Sequence, residues 1–307
     1  MIPYAHALLK SCLLLLALSS PALLCGQDKY YTIPFRLTSD NNMAVRAVLN
    51  RVDTVTLMVH TAASAVAITE EAASRMKGLH FDATNNGIQS WGSEVNTSRF
   101  SARNTLQIGA LKWDSLPLWE DKQSGPGTDG KIGLDLFKNK AVEVNFDRGA
   151  LLIYDQLPDK AKEYIKLPLR TEGDMMFLEA TCSDGEKTYT HSFLIHSGYS
   201  GAVLLDDAFV KKSGIAGRLK VISEQKLTDA YGHVLKIKKA ILPELTIGGL
   251  KLQQVPVGFF DGAIGRQQMS IVGGDVLKRF HMIIDASRNW IYLKPDGLWE
   301  ALYQNGK

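Results

Sequence analysis

Residues 57–64 read LMVHTAAS, and residues 193–200 read FLIHSGYS. Each stretch begins with an apolar run and continues with a histidine, a hydroxyl residue and a small residue. A short apolar run between polar segments predicts a buried strand, so the histidine is expected at the end of that strand. The recurrence of the whole pattern indicates that the chain contains two copies of one structural unit.

Three further pairs of segments match in the same order along the chain. The pairs are WG at 91–92 with YG at 231–232, LQIGALK at 106–112 with LTIGGLK at 245–251, and IGLDLFK at 132–138 with VGGDVLK at 272–278. The partners in all four pairs lie about 140 residues apart, a spacing too regular for chance. We therefore interpret the chain as a tandem duplication.

Each copy is predicted to consist mostly of β-strands with a few short helices. Residues 144–154 and 282–293 each place a turn sequence between two apolar runs, which predicts a β-hairpin. Residues 159–168 are charged and have prolines at both sides, which is typical of a linker. The predicted organisation is therefore an N-terminal lobe at 27–158, a linker, and a C-terminal lobe at 169–307. The short helices are predicted at 69–73, 135–138, 206–210 and 275–278.

The composition is that of an ordinary globular protein, with 45% hydrophobic and 22% charged residues among 307. The formal net charge is +3, and the charges are interspersed without a basic block. A nucleic-acid-binding surface is therefore not predicted. No segment has the roughly 18 consecutive apolar residues that a membrane-spanning helix needs, so no transmembrane segment is predicted.

Residues 1–26 have the pattern of a secretory signal peptide. Lys10 precedes the apolar run at 12–18, and small residues follow, so cleavage is expected after Gly26. This predicts a secreted or periplasmic protein whose mature chain keeps one cysteine and no internal disulfide. A lipoprotein acylated at Cys25 is the alternative, which the bulky Leu24 disfavours because such sites need a small residue before the cysteine.

The order of these motifs resembles one lobe of a pepsin-like or retropepsin-like aspartic protease. Two copies in one chain resemble the bilobal members of that family, over nearly all of residues 30–295. The resemblance implies an all-β fold of two lobes, one for each sequence repeat. A groove between the lobes would hold an extended polypeptide. In the family each lobe supplies an Asp-Thr/Ser-Gly triplet, and the two aspartates share one proton and activate a water molecule.

The sequence departs from the family at both aspartate positions, which are His60 and His196. Thr61 and Ser197 follow them and keep the hydroxyl groups. In the family these hydroxyls tie the two loops together through hydrogen bonds to the opposite backbone. The resemblance therefore implies a conserved loop geometry around a changed pair of central side chains.

The aromatic-glycine pairs Trp91-Gly92 and Tyr231-Gly232 correspond to hairpin tips. In pepsin-like enzymes a Tyr-Gly hairpin tip closes over the substrate, so the resemblance implies that these residues form apolar lids over the groove. The alternative is that Trp91 and Tyr231 pack only on their own lobes, as buried aromatic side chains commonly do.

Three functions are open to the histidine pair. We favour a pseudoprotease that binds a polypeptide ligand, because the proton-sharing carboxylates are missing. A peptidase with a His60/His196 dyad is an alternative, since an imidazole can accept a proton and an imidazolium can donate one. A zinc or copper site is the other alternative, with His233 as a third ligand. No other cofactor is expected.

Overall fold

The computed structural model of the chain describes residues 29–86, 96–260 and 268–304. These residues form 21 β-strands, three short α-helices and three 3-10 helices. The strands belong to two sheets in a two-lobed molecule. The prediction of an all-β, two-lobed fold with short helices is therefore confirmed.

The first half of the chain contributes ten strands, one α-helix and one 3-10 helix. These are β1 (Tyr30–Leu37), β2 (Met43–Leu49), β3 (Asp53–His60), β4 (Val66–Thr69), α1 (Glu70–Ser74), β5 (Ala83–Asn86), β6 (Thr97–Ile108), β7 (Leu111–Asp121), β8 (Gly130–Gly133), the 3-10 helix Leu134–Phe137, β9 (Ala141–Asn145) and β10 (Ala150–Tyr154). The signal-peptide and Cys25 predictions, like the Trp91-Gly92 tip, fall outside the described residues.

The second half contributes the other eleven strands, two α-helices and two 3-10 helices. These are the 3-10 helix Asp159–Glu163, β11 (Ile165–Pro168), β12 (Arg170–Glu172), β13 (Met175–Ser183), β14 (Thr188–His196), β15 (Val203–Leu204), α2 (Asp207–Ser213), the 3-10 helix Ile215–Gly217, β16 (Val221–Thr228), β17 (Val234–Ile247), β18 (Leu250–Phe260), β19 (Ser270–Gly273), α3 (Gly274–Leu277), β20 (Phe280–Ile284) and β21 (Trp290–Pro295).

The same strand pairings occur in both lobes. In the first lobe β3 runs parallel to β8, which is antiparallel to β4. In the second lobe β14 runs parallel to β19, which is antiparallel to β15. β4 and β19 are buried at every residue, hence on both faces, which explains why their sequences do not alternate between apolar and charged residues.

The short helices begin at side chains that cap them. The Thr69 hydroxyl accepts a hydrogen bond from the Ala72 N–H at the start of α1, at 3.2 Å. The Asp206 carboxylate does the same for the Phe209 N–H of α2, at 2.7 Å. A cap of this kind satisfies one of the backbone donors that a helix leaves unpaired at its first turn.

The two predicted hairpins form and also join the lobes. β9 pairs with β10, and β20 pairs with β21. β9 and β20 then pair with each other, so that Val144 lies opposite Met282 and Val142 opposite Ile284. Six strands, in the order β11-β21-β20-β9-β10-β1, are therefore continuous across both lobes. This part of the 13-stranded sheet is called the shared sheet.

The segment predicted as a linker, 159–168, has structure of its own. It holds the 3-10 helix Asp159–Glu163 and strand β11, which pairs with β21 at the end of the shared sheet. In the part of the chain that the structure describes, no helix is long and apolar enough to cross a membrane.

One hydrophobic core extends through both lobes. It includes Leu57 and Val59 from β3, Phe193 and Ile195 from β14, and Val144 from the shared sheet, each at most 1% exposed. Burial of each such side chain contributes about 1.5–3 kcal/mol to folding. The residues just before each histidine, 57–59 in β3 and 193–195 in β14, are therefore anchored in the core.

Candidate functional site

The ends of β3 and β14 come together between the lobes. His60 ends β3 and lies opposite Gly133 on β8, and His196 ends β14 and lies opposite Gly273 on β19. A Cβ atom on Gly133 would approach the Ala63 carbonyl oxygen to 2.2 Å, and one on Gly273 would approach a backbone oxygen equally closely. Glycine is needed at both positions because the loop after each histidine packs directly on this backbone.

A reciprocal set of hydrogen bonds ties the two loops together. The Thr61 N–H donates to the Ser197 hydroxyl oxygen, and the Ser197 N–H donates to the Thr61 hydroxyl oxygen, both at 3.0 Å. Each hydroxyl then donates across the interface, Thr61 to the Ile195 carbonyl at 2.6 Å and Ser197 to the Val59 carbonyl at 2.7 Å. Every polar group in this set is satisfied although it is buried, which makes the arrangement rigid.

The two histidine rings are in direct contact. Their centroids are 4.5 Å apart and their planes are inclined by 63°. The His60 ring is 8% exposed, and its Nδ1 accepts a hydrogen bond from the Ala62 N–H at 3.1 Å. The neutral ring therefore carries its proton on Nε2. That nitrogen lies against Gly198, where an added Cβ would be only 2.3 Å away.

Both histidines are held in the neutral form. Burial, the neighbouring His196 and the Lys131 ammonium keep the pKa of His60 well below its ordinary value. Burial lowers the pKa of His196 to about 4, and Lys131 acts in the same direction. The pair therefore carries no charge at neutral pH, since desolvation and like charge both disfavour imidazolium.

A cavity of about 660 Å³ opens beside the histidine pair. Both histidines and Lys131 line it from the strands, and Tyr199 and Lys239 line it from the second lobe. A cavity of this size lies within the range of ligand-binding sites, which are about 300–1,000 Å³. The volume, the position between the lobes and the polar side chains make it the candidate binding site.

The β16–β17 hairpin forms one wall of this cavity and contacts the other lobe. The Gln123 N–H in the loop after β7 donates to the Ala230 carbonyl at 2.9 Å. The Asp229 carboxylate organises the hairpin tip by accepting the Tyr231 and His233 N–H groups, each at 2.9 Å. The tip is therefore fixed on both sides, by its own turn and by the first lobe.

The predicted lid residues Tyr231 and Gly232 lie at this tip. Tyr231 is 9% exposed, and Gly232 has a φ of 85°, a conformation that glycine adopts without strain. Asp229 and Ala230 line the cavity directly, whereas Tyr231 follows them in the turn. The aromatic-glycine dipeptide thus marks a hairpin at the edge of the cavity.

The structure brings His60 and His196 together but holds His233 in another contact. The His233 Nδ1 lies 3.0 Å from the Asp229 carboxylate in the hairpin tip. Among the described residues no group of three or more histidine, cysteine or acidic side chains is placed to hold a metal ion. The metal prediction therefore depends on the two facing imidazoles alone.

Sequence reasoning missed three residues of the site. Lys131 lies one residue before the matched block at 132–138, and its ammonium pairs with Asp121 at 2.7 Å. Tyr199 is inside the quoted block at 193–200, where an aromatic residue replaces the Ala63 of the first copy. Lys239 carries no motif signal. For Lys131 and Tyr199 the available signal was a side chain in or beside a matched block that differs between the two copies.

Comparisons with known proteins establish the fold. No protein-family model and no curated protein matches the sequence. The structure is similar to the crystal structure of the aspartic proteinase from Irpex lacteus, with a TM-score of 0.57. The match covers 89% of this chain and 99% of the proteinase at 14% sequence identity, which supports the fold alone. The chain therefore has the two-lobed fold of a pepsin-like aspartic proteinase.

Proposed function

We propose that this protein is a catalytically inactive relative of the aspartic proteases that binds an extended polypeptide in the groove between its lobes. The proposal depends on one observation: the two strand ends that meet at the Thr61–Ser197 contact carry His60 and His196, and both rings are neutral. We take these histidines to stand at the two aspartate positions, because each ends the apolar strand before the reciprocal hydrogen bonds.

The chemistry of the pair supports binding rather than hydrolysis. In an aspartic protease one carboxylate takes a proton from water while its protonated partner donates to the substrate carbonyl. Two neutral imidazoles supply two weak bases, no acid and no negative charge. The His60 Nδ1 is already occupied by the Ala62 N–H, and His196 with a pKa of about 4 is rarely protonated at neutral pH.

The groove also offers a strand edge to a polypeptide. Among the described residues β16 pairs only with β17 and ends the eight-stranded sheet. Residues 225–228 of β16 line the cavity. An extended peptide laid along this edge would form backbone hydrogen bonds, with side-chain pockets providing selectivity.

We further propose that the protein acts outside the cytoplasm, as a secreted or periplasmic protein. The support is the leader pattern of residues 1–26. The ligand would then be an extracytoplasmic polypeptide.

A peptide-library screen tests the function. The mature chain is incubated with short synthetic peptides at several pH values, and both bound peptides and cleavage products are identified by mass spectrometry. We expect selective retention of intact peptides. A Thr228→Trp variant should lose this binding because the exposed Thr228 lines the cavity. A matched Thr171→Trp variant, on β12 at the opposite edge of the same sheet, should retain it.

The alternatives give different results in the same experiment. Cleavage by the wild type that disappears in His60→Ala/His196→Ala would establish a histidine-dependent peptidase and overturn the proposal. Stoichiometric zinc or copper that disappears in the same variant would establish a metal site. Equal binding by the two tryptophan variants would place any peptide outside the groove.

A further inference from the structure

Lys239 is a half-buried cation inside the cavity. It lies in β17 opposite Gly258 of β18, and its ammonium contacts the Tyr199 hydroxyl oxygen at 3.2 Å. In the described part of the chain no carboxylate lies within ion-pair distance of this ammonium. Lys131, by contrast, is paired with Asp121 at 2.7 Å. Lysine is seldom buried without a partner, because desolvation of an unpaired ammonium is costly.

The Tyr199 ring is held in a slot made by glycines. Added Cβ atoms on Gly201 and Gly273 would contact the ring at 2.6 and 2.5 Å, and one on Gly258 would approach its hydroxyl oxygen to 3.5 Å. The tyrosine is 5% exposed, so its hydroxyl is fixed beside the lysine. Because that oxygen accepts from the ammonium, the hydroxyl proton remains to be donated.

The two side chains together form a cluster of hydrogen-bond donors. The ammonium has three N–H groups, of which the contact with Tyr199 uses one. Two N–H groups and one O–H group therefore have no recorded acceptor among the described residues, and both side chains line the cavity. A carboxylate, with two oxygens and a negative charge, matches this set.

The other charged groups that line the cavity do not compensate the charge of Lys239. Two of them are the cations Lys131, which is paired with Asp121, and Lys226, which is exposed to solvent. The Asp229 carboxylate is engaged by its own turn, and the Asp40 carboxylate accepts the Ser39 hydroxyl at 3.0 Å. The His60–His196 pair is neutral, so it adds no negative charge to the site. Burial lowers the pKa of Lys239, although the more distant Asp275 opposes this shift. A bound carboxylate would compensate the buried charge.

We propose that Lys239 and Tyr199 form a carboxylate-binding subsite, so that the groove selects a polypeptide with an acidic side chain or its terminal carboxylate at this point. The inference rests on the proposed peptide-binding function and names the chemistry of its ligand.

The test uses three small probes with the full mature chain. N-acetyl-glutamate methylamide carries a side-chain carboxylate, N-acetyl-glutamine carries a terminal carboxylate, and N-acetyl-glutamine methylamide is neutral. Affinity is measured in the wild type and in every variant by NMR of the probe itself. NMR of ¹³C-labelled lysine, with the Lys239 signal identified by its loss in Lys239→Met, then locates the probe in the wild type. We expect at least one charged probe to bind about tenfold or more tighter than the neutral probe, as a charge-assisted hydrogen bond requires.

Three variants locate the effect. Lys239→Met should abolish the preference for the charged probe, and Tyr199→Phe should weaken it. Lys236→Met, at an exposed position three residues earlier on β17, changes the net charge equally and should leave the preference intact. Tighter binding of N-acetyl-glutamate methylamide would identify an acidic side chain as the ligand. Tighter binding of N-acetyl-glutamine would identify a terminal carboxylate.

Equal affinity of the charged and neutral probes for the wild type would overturn the proposal, whether or not the variants fold. An unchanged preference in Lys239→Met would overturn it as well. Retention of neutral peptides in the library screen, unaffected by Lys239→Met, would refute the subsite and leave the peptide-binding function standing. Selective probe binding without retention of any peptide would refute that function and leave the subsite standing.

Discussion

The side-chain oxygens of Thr61 and Ser197 each accept the other's backbone N–H at 3.0 Å, across the boundary between the two lobes. The contact joins residues 136 positions apart and is complete although the adjacent side chains are histidines. The loop geometry of the fold therefore does not require carboxylates beside it. It does require both hydroxyls, since each also donates to a backbone carbonyl of the opposite strand.

Loss of one hydroxyl should destabilise the whole molecule. Thr61→Val leaves the Ser197 N–H and the Ile195 carbonyl without partners in a buried place, at about 1–3 kcal/mol for each group. We expect the free energy of unfolding, measured with urea, to fall by about 2 kcal/mol or more. Thr84→Val, at an exposed position on β5, should change it little. Comparable losses in the two variants would contradict a structural role for the contact.

A side chain at position 198 should displace the histidine pair. The Cβ of a Gly198→Ala variant would approach the His60 Nε2 to 2.3 Å, and the buried ring has little room to move. We expect a destabilisation of about 1–3 kcal/mol and a shifted His60 signal in the NMR spectrum. Gly217→Ala provides the control, because nothing lies within 4 Å of its added Cβ. An unmoved His60 signal in Gly198→Ala would contradict this packing.

The neutral histidines should make the protein less stable in mild acid. The pKa of His60 and that of His196 lie below the ordinary value of 6.5, so the unfolded state binds more protons than the folded state. The free energy of unfolding should therefore be highest above pH 6.5, fall as the pH drops, and stop responding to His196 near pH 4. His196 alone should account for a change on the order of 3 kcal/mol.

Removal of the titrating groups tests this pH dependence. His60→Gln/His196→Gln should flatten the dependence between pH 4 and pH 6.5, the interval that the His196 shift defines. His80→Gln removes an exposed histidine and should leave the curve unchanged. A wild-type slope that survives in the double variant would show that other groups cause the acid sensitivity.

The hairpin tip should open when its carboxylate is removed. Asp229→Ala frees the Tyr231 and His233 N–H groups, so their amide hydrogen exchange should accelerate about tenfold, as loss of such bonds implies. The dissociation of a groove-bound peptide should accelerate too. Asp184→Ala removes a similar turn carboxylate, which binds the Glu186 and Lys187 N–H groups. Its ion-pair partner, Arg218, does not line the cavity, so this variant should leave peptide dissociation unchanged. Equal peptide dissociation rates in the two variants would exclude the tip from the binding site.

The repeated motif allowed the meeting of His60 and His196 to be predicted, because strand ends and loop contacts follow from the local sequence pattern. His60 and His196 each close an apolar strand, and the matched glycines at 133 and 273 lie directly beside them. The hydroxyl residues at 61 and 197 likewise predicted the hydrogen bonds that each loop makes to the opposite loop.

The pairing of the lobes could not be predicted from the same patterns. Each hairpin has two edges, and no local signal indicates that β9 pairs with β20. The charged residues of 159–168 led to the prediction of a linker rather than the strand β11, although Ile165 and Leu167 alternate with Lys166 there. Lys239 was missed because its significance lies in a contact with Tyr199, which is distant along the chain.

Aspartate in place of both His60 and His196 should create acid hydrolysis. In His60→Asp/His196→Asp the strand ends and the Thr61–Ser197 contact are unchanged, so two carboxylates would face each other in a buried site and share a proton. We expect slow peptide cleavage below about pH 5, measured by mass spectrometry on the peptides that the wild type retains. His60→Asn/His196→Asn has the same shape without ionisable groups and should not cleave. Cleavage by the asparagine variant would show that a contaminating protease causes the cleavage. A stable, peptide-binding aspartate variant without cleavage would show that the groove holds its ligand away from the dyad positions.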